Sequence, residues 1–575
     1  MATASQSGSS GALKLKLWRG ERMCLLGMDV AGPGPSFVGF AIEVQSPGGN
    51  FTALRNRLAF DYPANKTLTG NREYPTTEAP IQTFRWIHFP YDPKPGRYAY
   101  RVTMMHMDGG GTLSAGDSVT CSIQLGDETA PGFVDIGFTR NFASSQAFVD
   151  KFPDVASRRL ILPPGDKGLD WDKDRAPAGV YDWLGGKAND LLAKLLDEAA
   201  KDKTMTLDVM AYDLNEPDFF KALLQLAPRK VGGKPALRVL IDNSGKHKEA
   251  DSCETYAATR LAAEGALVQR HHFERFQHNK VIVAHKGGAP YRVIGGSTNF
   301  SFRGLYIQAN NLLAFDTPDI VELFSAMFEL AFAGKHNLEQ DALSQAWQAV
   351  SVAGGTNARI CFAPHPDNSD LSLSPLAGAI QQASSSVLYA VAFLNQDADG
   401  PTRKALDALM GKPVFSYGIA NRNTGLKLTK PDGSTGLVDF EYLSAHAPEP
   451  FSAEWSGGAG ITIHHKFVVV DFNLPTAKVF AGSSNLAAGG EEENGDHLVQ
   501  ISDQRVAVAY AIEALRMFDH LNFRTRMKES APANAPNSVG VITLKKPPAA
   551  GQPAWFAPFY VAGSQKERDR LLFSA

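Results

Sequence analysis

Two stretches hold the residues whose types and spacing could do chemistry. In QHNKVIVAH, Gln277 to His285, His278 is followed two residues later by Lys280; in ITIHHKFVVVD, Ile461 to Asp471, His464 is followed by Lys466. A Gly-Ser-x-Asn trails each: Gly296, Ser297 and Asn299 after the first, Gly482, Ser483 and Asn485 after the second. The step from His to Ser is 19 residues in both copies (278 to 297, 464 to 483), and the step to Asn is 21 (278 to 299, 464 to 485). Equal register argues for one shared geometry. On a strand, residues i and i+2 share a face, so His464 and Lys466 project together while His465 and Phe467 turn away. The valines that follow anchor the strand in a core. Glycine permits close backbone approach, and asparagine offers a neutral donor. Two such units packed face to face would converge two imidazoles, two ammonium groups and two amides. That set suits a phosphate: cations and amides bind its oxygens while imidazoles flank the phosphorus.

The elements that must position these groups form a repeat. LLAKLLDEAAKDK (Leu191–Lys203) has the apolar spacing of an amphipathic helix, TLDVMAY reads as a strand, DFFKALLQLA as a helix and LRVLIDN as a strand. The same order returns with SSVLYAVAFLN, RKALDALM and PVFSYGIAN ahead of the second His-Lys pair. Alternation of strands and helices predicts α/β units, at about 179–350 and 355–525. Ahead of them, LKLKLW, FVGFAIEV, RYAYRVTMM and SVTCSIQL alternate between turns such as SPGGN and DPKPG. Short strands with regular turn signals predict an all-β sandwich over 12–130. Residues 1–11 are small and polar and are expected to be disordered. A connector is expected at 131–178 and a surface-draped tail at 526–575.

With 575 residues, 44% apolar and 20% charged, the chain can build several ordinary cores. A net charge of −3 counts against a life spent on non-specific phosphate-backbone contacts, without excluding a local basic groove. The four cysteines are far apart without C-x-x-C spacing and are read as buried, reduced thiols, not as a zinc site or a disulfide scaffold. Neither a charged start followed by an apolar core nor an apolar run of about 18 residues is present, so a cytoplasmic protein without a membrane span is expected. Export without a signal peptide stays open. His271, His272, His278 and His285 are read as a solvated or phosphate-facing cluster and not as a zinc site. The run Glu491 to Glu493 is read as a solvated loop.

The paired motifs resemble the phospholipase D superfamily, whose signature H-x-K-x4-D followed by G-S-x-N occurs twice. HHKFVVVD matches it in full, with Asp471 at its end; HNKVIVAH departs, with His285 in place of Asp. The resemblance covers about 340 residues and implies two α/β halves with mixed sheets packed face to face behind the β-sandwich. It also implies a mechanism: one His attacks phosphorus to form a phosphohistidine, and the other protonates the leaving alcohol and then activates water. Lys280, Lys466, Asn299, Asn485, Ser297 and Ser483 then hold the phosphate, with no metal or other cofactor. In this family an acceptor for the His Nδ1 commonly lies a few dozen residues on. Asp496 and Asn310 both stand 32 residues after a motif His (464 to 496, 278 to 310). The expectation leans to His464 as nucleophile with Asp496 behind it and His278 as acid/base; the reverse stays open. Asp471 and Asn310 are expected to support the site.

Three functions are weighed. A phosphodiesterase acting on a phospholipid headgroup is slightly favoured, with peripheral membrane contact. A metal-independent nuclease uses the same motifs. An inactive binding scaffold is suggested by His285 and Asn310. Oligomeric state is open.

Overall fold

The computed structural model describes residues 3–61, 73–126, 128–140, 148, 151–158, 160–163, 168–352, 356–366, 368–394, 399–421, 430, 435–439, 463–529 and 543–575. The segment APANAPNS of the expected tail lies outside the described residues.

The N-terminal strands are β1 (Ser5–Ser10), β2 (Leu13–Arg19), β3 (Cys24–Val30), β4 (Phe37–Gln45), β5 (Phe51–Ala53), the ribbon β6 (Arg55–Asn56) and β7 (Tyr74–Pro75), β8 (Arg85–His88), β9 (Gly96–Met107) and β10 (Leu113–Leu125). They pair antiparallel in two four-stranded sheets, β1-β2-β3-β8 and β10-β9-β4-β5. The alternation in LKLKLW is why: Leu13, Leu15 and Leu17 are buried between the sheets with Phe40, Ile42, Tyr100 and Val102, while Lys14 is exposed. The polar segment expected to be disordered instead pairs as β1, register Ser5 with Trp18 to Ser10 with Leu13. Backbone hydrogen bonds along a strand edge do not require apolar side chains.

The first half holds β11 (Val134–Phe138), β12 (Met205–Ala211), the ribbon β13 (Lys230–Val231) and β14 (Lys234–Pro235), β15 (Leu237–Ile241), β16 (Leu267–Arg270), β17 (Val281–Lys286), β18 (Ala289–Gly296) and β19 (Asn311–Phe315). Its sheet runs β11-β19-β18-β17-β12-β15-β16. The second half holds β20 (Gln348–Val352), β21 (Thr356–Ala363), β22 (Ser386–Val391), β23 (Phe415–Ala420), β24 (Leu437–Asp439), β25 (Lys466–Val470), β26 (Lys478–Gly482) and β27 (Asp496–Ser502), in the order β20-β21-β27-β26-β25-β22-β23-β24. Both sheets are mixed: β12-β15-β16 and β22-β23-β24 are parallel, and the neighbours of β17 and β25 are antiparallel. The expected connector therefore contains an edge strand, β11, which pairs with β19.

Alternation on the central strands builds two cores from each sheet. Val281 and Val283 of β17 face a core shared with Phe467 and Val469 of β25, which joins the halves. Ile282 and Ala284 face the helices of the first half, and Val468 and Val470 those of the second. The helices include Val180–Lys201 and Pro217–Leu226 in the first half and Gln504–Glu529 in the second.

The C-terminal residues are built into these cores. Trp555 is buried in the sandwich, and Phe573 is fully buried in the shared core. Trp18 Nε1 donates to Phe573 O at 2.8 Å. Arg85 of the sandwich pairs with Asp569 at 2.7 Å and with Asp519. Among the described residues no helix is long and apolar enough to cross a membrane.

Candidate active site

Each motif histidine sits one residue beyond a bridge between the halves. Gln277 bridges Gly495, and Ile463 bridges Ala309. His278 N donates to Gly495 O at 2.9 Å, and His464 N donates to Ala309 O at 3.0 Å. The residue after each bridge on the opposite strand is Asp496 or Asn310, so each acceptor meets the histidine of the other half. His278 Nδ1 lies 2.8 Å from Asp496 Oδ1, and His464 Nδ1 lies 2.8 Å from Asn310 Oδ1 and 3.1 Å from Ser297 O. This corrects the expected partnership: Asp496 stands behind His278, not behind His464. The equal 32-residue offsets are kept, but the strand carrying each acceptor starts at the interface and is bridged across it.

The tautomers follow from these partners. An ionised Asp496 only accepts, so His278 carries its proton on Nδ1 and presents a bare Nε2. Asn310 is held by its Nδ2 donating to Gly304 O at 2.9 Å, which points its Oδ1 at His464. Nδ1 of His464 therefore also donates, and its Nε2 lies 3.1 Å from Lys466 Nζ.

Burial and charge act unequally on the pair. Burial pushes the Asp496 carboxyl up, but His278 and Lys280 hold it down at about 2. Burial lowers His278, against the pull of Asp496. His464 is driven well below the ordinary histidine value by burial and then by Lys466, Lys280 and His278, against a backbone hydrogen bond to Ser297 O. Lys280 is pushed down to about 7 by burial, and Lys466 goes well below its usual range for the same reason and through Lys280. These mutual effects place both His-Lys pairs in one field. Each lysine also donates to the main-chain oxygen of its histidine.

Gly296 and Gly482 show why glycine opens each Gly-Ser-x-Asn. A Cβ at Gly296 would lie 2.4 Å from Asn311 O, and one at Gly482 would lie 2.3 Å from His497 O. Ser297 and Ser483, expected at the phosphate, are fully buried and spend their hydroxyls on Asn311 Oδ1 (2.9 Å) and His497 Nδ1 (3.2 Å). Asn299 donates to Asp213 through Nδ2, and its buried Oδ1 has no partner. Asn485 holds the matching place after β26, again with an unpartnered Oδ1. Asp471 accepts from the backbone N–H groups of Ser384, Ser385 and Ser386 and so fastens the start of β22. His285, at the matching position, pairs with Asp208 on β12 at 2.8 Å.

Other expectations come out differently. The four clustered histidines of the first half go separate ways: His271 meets Ala331 O, His272 meets Asn243, His278 meets Asp496 and His285 meets Asp208. The expected solvated Glu491–Glu493 loop belongs to a helix, Ala488–Glu493, and Glu491 is 1% exposed. Burial raises the Glu491 carboxyl to about 7, and it accepts from Ser484 Oγ.

The residues missed in the sequence are in loops without a motif. Tyr212 packs edge-on to His278 at 4.9 Å, with Lys280 over its face at 4.8 Å. Phe393 lies edge-on to His464 at 6.0 Å. Asp213, His247 and Asp242 form a chain beside Asn299, with His247 Nδ1 2.8 Å from Asp242 and Nε2 3.2 Å from Asp213. Burial would lower His247, but those two carboxylates hold it up at about 10. The echo between TLDVMAYDLN and SSVLYAVAFLN carried the signal, since Asp213 and Phe393 fall at one position of it.

Residues 192–331 match a family model described as cardiolipin synthase, PLD-like domain. Among solved structures the chain is similar to polyphosphate kinase from Porphyromonas gingivalis, with 14% identity, 64% of this chain and 49% of that chain covered, and a TM-score of 0.37. It thus spans about half the length of that kinase. It is also similar to Nuc, a phospholipase D family member from Salmonella typhimurium (24% identity, 25% and 84% covered, TM-score 0.20). A third is yeast tyrosyl-DNA phosphodiesterase (10% identity, 54% and 85% covered, TM-score 0.31). No curated protein matches the chain.

Proposed function

We propose, from the match of residues 192–331 to a PLD-like domain and from the paired His-Lys motifs, that the chain is a phospholipase D superfamily member that hydrolyses a phosphodiester through a phosphohistidine on His278. The observation that carries this reading is the crossed pair of contacts, His278 to Asp496 and His464 to Asn310. A nucleophile that becomes an imidazolium gains from a carboxylate at Nδ1. Among the described residues only His278 has one, in Asp496, while His464 has the amide of Asn310.

In the first step His278 Nε2 forms a bond to phosphorus. The bond from phosphorus to the leaving alcohol breaks, and His464 gives its Nε2 proton to the leaving oxygen. The bound phosphodiester supplies the charge that lets His464 hold that proton, offsetting Lys466 and Lys280. In the second step water attacks phosphorus, His464 takes its proton, and the P–N bond breaks. Lys280, Lys466, Asn299 and Asn485 stabilise charge on the phosphoryl oxygens.

A phospholipid headgroup is favoured over nucleic acid as the substrate, since the chain carries a net charge of −3. The test offers purified protein phospholipid vesicles and plasmid DNA side by side in EDTA, with His278→Ala and His464→Ala as controls. Headgroup release lost in both variants supports the reading. Nicking of DNA lost in both variants makes the protein a nuclease of the same chemistry. Full activity in His278→Ala would remove the mechanism.

A further inference from the structure

One side-chain cluster outside the two His-Lys pairs brings three metal-ligating groups together. Asp213 follows β12, His247 lies in the 3-10 turn Gly245–Lys248, and Glu254 is in the first turn of the helix Cys253–Ala263. Their ligand atoms all lie within 4.8 Å of one another. His247 gives Nδ1 to Asp242, so Nε2 is the nitrogen that faces Asp213. Asp242 is fully buried and fixed by Ser244 and by Gln277 N. A carboxylate on the far ring nitrogen is the arrangement that orients a ligating histidine. Glu254 accepts from Leu214 N through Oε1 at 3.0 Å, and its own backbone N–H also bonds the carboxylate.

A second observation points to a ligand here. Asn299 is 4% exposed, its Nδ2 is bonded to Asp213 Oδ2, and its Oδ1 has no partner. A buried amide oxygen without a donor is costly, and this one belongs to the amide whose nitrogen is bonded to Asp213. An ion on Asp213 would satisfy it, directly or through the ion's own water.

We infer that Asp213, His247 and Glu254 bind a divalent zinc-class cation beside Asn299. One imidazole and two carboxylates suit zinc, which takes three protein ligands and keeps a fourth position open. Tetrahedral bonds of about 2.1 Å set ligand atoms roughly 3.4 Å apart, so the three groups close inward by a fraction of their present separation. Binding releases the proton on His247 Nε2. The ion also takes Asp213 from Asn299, which frees both N–H groups of that amide for a phosphate oxygen. This last consequence rests on the phosphodiesterase reading; the metal site does not.

The test is calorimetric titration of the full chain, stripped with chelator and returned to chelator-free buffer, with zinc chloride. One ion per chain is expected for the wild type and for His278→Ala. His247→Ala and Asp213→Asn lose that binding, and Asp242→Asn weakens it by roughly 10–100-fold. Circular dichroism establishes that each variant is folded, and Glu254→Gln replaces any that is not. Absence of the ion, or binding kept in both His247→Ala and Asp213→Asn, overturns the site; so does binding lost in His278→Ala. Inorganic phosphate is then titrated into loaded and zinc-free protein and binds several-fold tighter to the loaded form. Equal affinities overturn the link to Asn299, whereas no phosphate binding in either form counts against the phosphodiesterase reading.

Discussion

Where the first half carries Asp213, Asp242 and Asn310, the second carries Phe393, Asn421 and Asp496. The matches follow from register. Met210 pairs with Val281 as Ala390 pairs with Phe467, and three residues on stand Asp213 and Phe393. Gln277 N donates to Asp242 Oδ1 at 2.7 Å as Ile463 N donates to Asn421 Oδ1 at 2.9 Å. The hydrogen bonds that shape the backbone are thus kept in both halves, while the charge placed on them is redistributed. Negative charge flanks Asn299 in the first half; in the second an aromatic ring lies against His464, and the carboxylate is sent across to His278. The difference teaches that the duplicated frame tolerates exchange of Asp for Asn wherever an oxygen acceptor is all that the backbone needs. Charge is then free to be assigned by chemistry.

The sharpest way to break this comparison is to remove each histidine in turn. His278→Ala is expected to lower kcat by roughly 10⁴-fold or more on any substrate, since the nucleophile is gone. His464→Ala loses activity on alkyl esters but recovers the first step on a nitrophenyl ester, whose leaving group needs no proton. A trapped phosphoenzyme in His464→Ala and none in His278→Ala is the readout; the opposite pattern exchanges the roles.

Next is the exchange of acceptors. Asp496→Asn is expected to lower kcat by about 10²–10⁴-fold, with little change in KM. Asn310→Asp, its mirror, adds a carboxylate at His464 and moves the basic limb of the pH–rate profile to higher pH. If Asp496→Asn is neutral, the charged acceptor has no role in the chemistry.

Glycine substitutions compare the frames themselves. Gly296→Ala and Gly482→Ala each push a Cβ against a main-chain oxygen. Both are expected to destabilise by roughly 1–3 kcal/mol, by similar amounts, in denaturant titration. A large difference between them would mean that the two loops are not equivalent.

The smallest effect is the response of stability to pH. Burial holds His365 and His497 of the second half down at about 4 and about 3. Between those values and the ordinary histidine pKa the unfolded chain binds more protons, so their contribution is lost as pH falls below about 6.5. His247 of the first half is held up at about 10. Its contribution is present at neutral pH and is lost as pH rises through about 10. Hydrogen exchange followed peptide by peptide is expected to show the second half loosening first in acid and the neighbourhood of His247 in alkali.

Much of this was legible in the sequence. The valine runs marked β17 and β25, because strand patterning acts locally, although the strands open at Val281 and Lys466, so that His278, Lys280 and His464 lie ahead of them and not on them. The alternating leucines of β2 marked the sandwich for the same reason. The crossed partnership was not legible: the 32-residue offset is identical in the two halves, and only the bridges Gln277–Gly495 and Ile463–Ala309 decide which histidine each acceptor meets. β1 was missed because SQSGSS has no apolar pattern, and its place depends on the edge of β2. Glu491 reads as solvated beside two further glutamates, yet packing at Ser484 buries it. His247 gave no motif, since its partners Asp213 and Asp242 come from separate loops.

The crossing has a consequence for ancestry. In a symmetric pair of separate chains, each copy would lend its acceptor to the other's histidine, and any replacement on one side would be repeated on the other. Both acceptors would be carboxylates or both amides. Fusion into a single polypeptide removes that constraint, so one gene copy can mutate its acceptor without its twin. Asn310 and Asp496 put that freedom to use: two identical rings in one polypeptide stand against different acceptors.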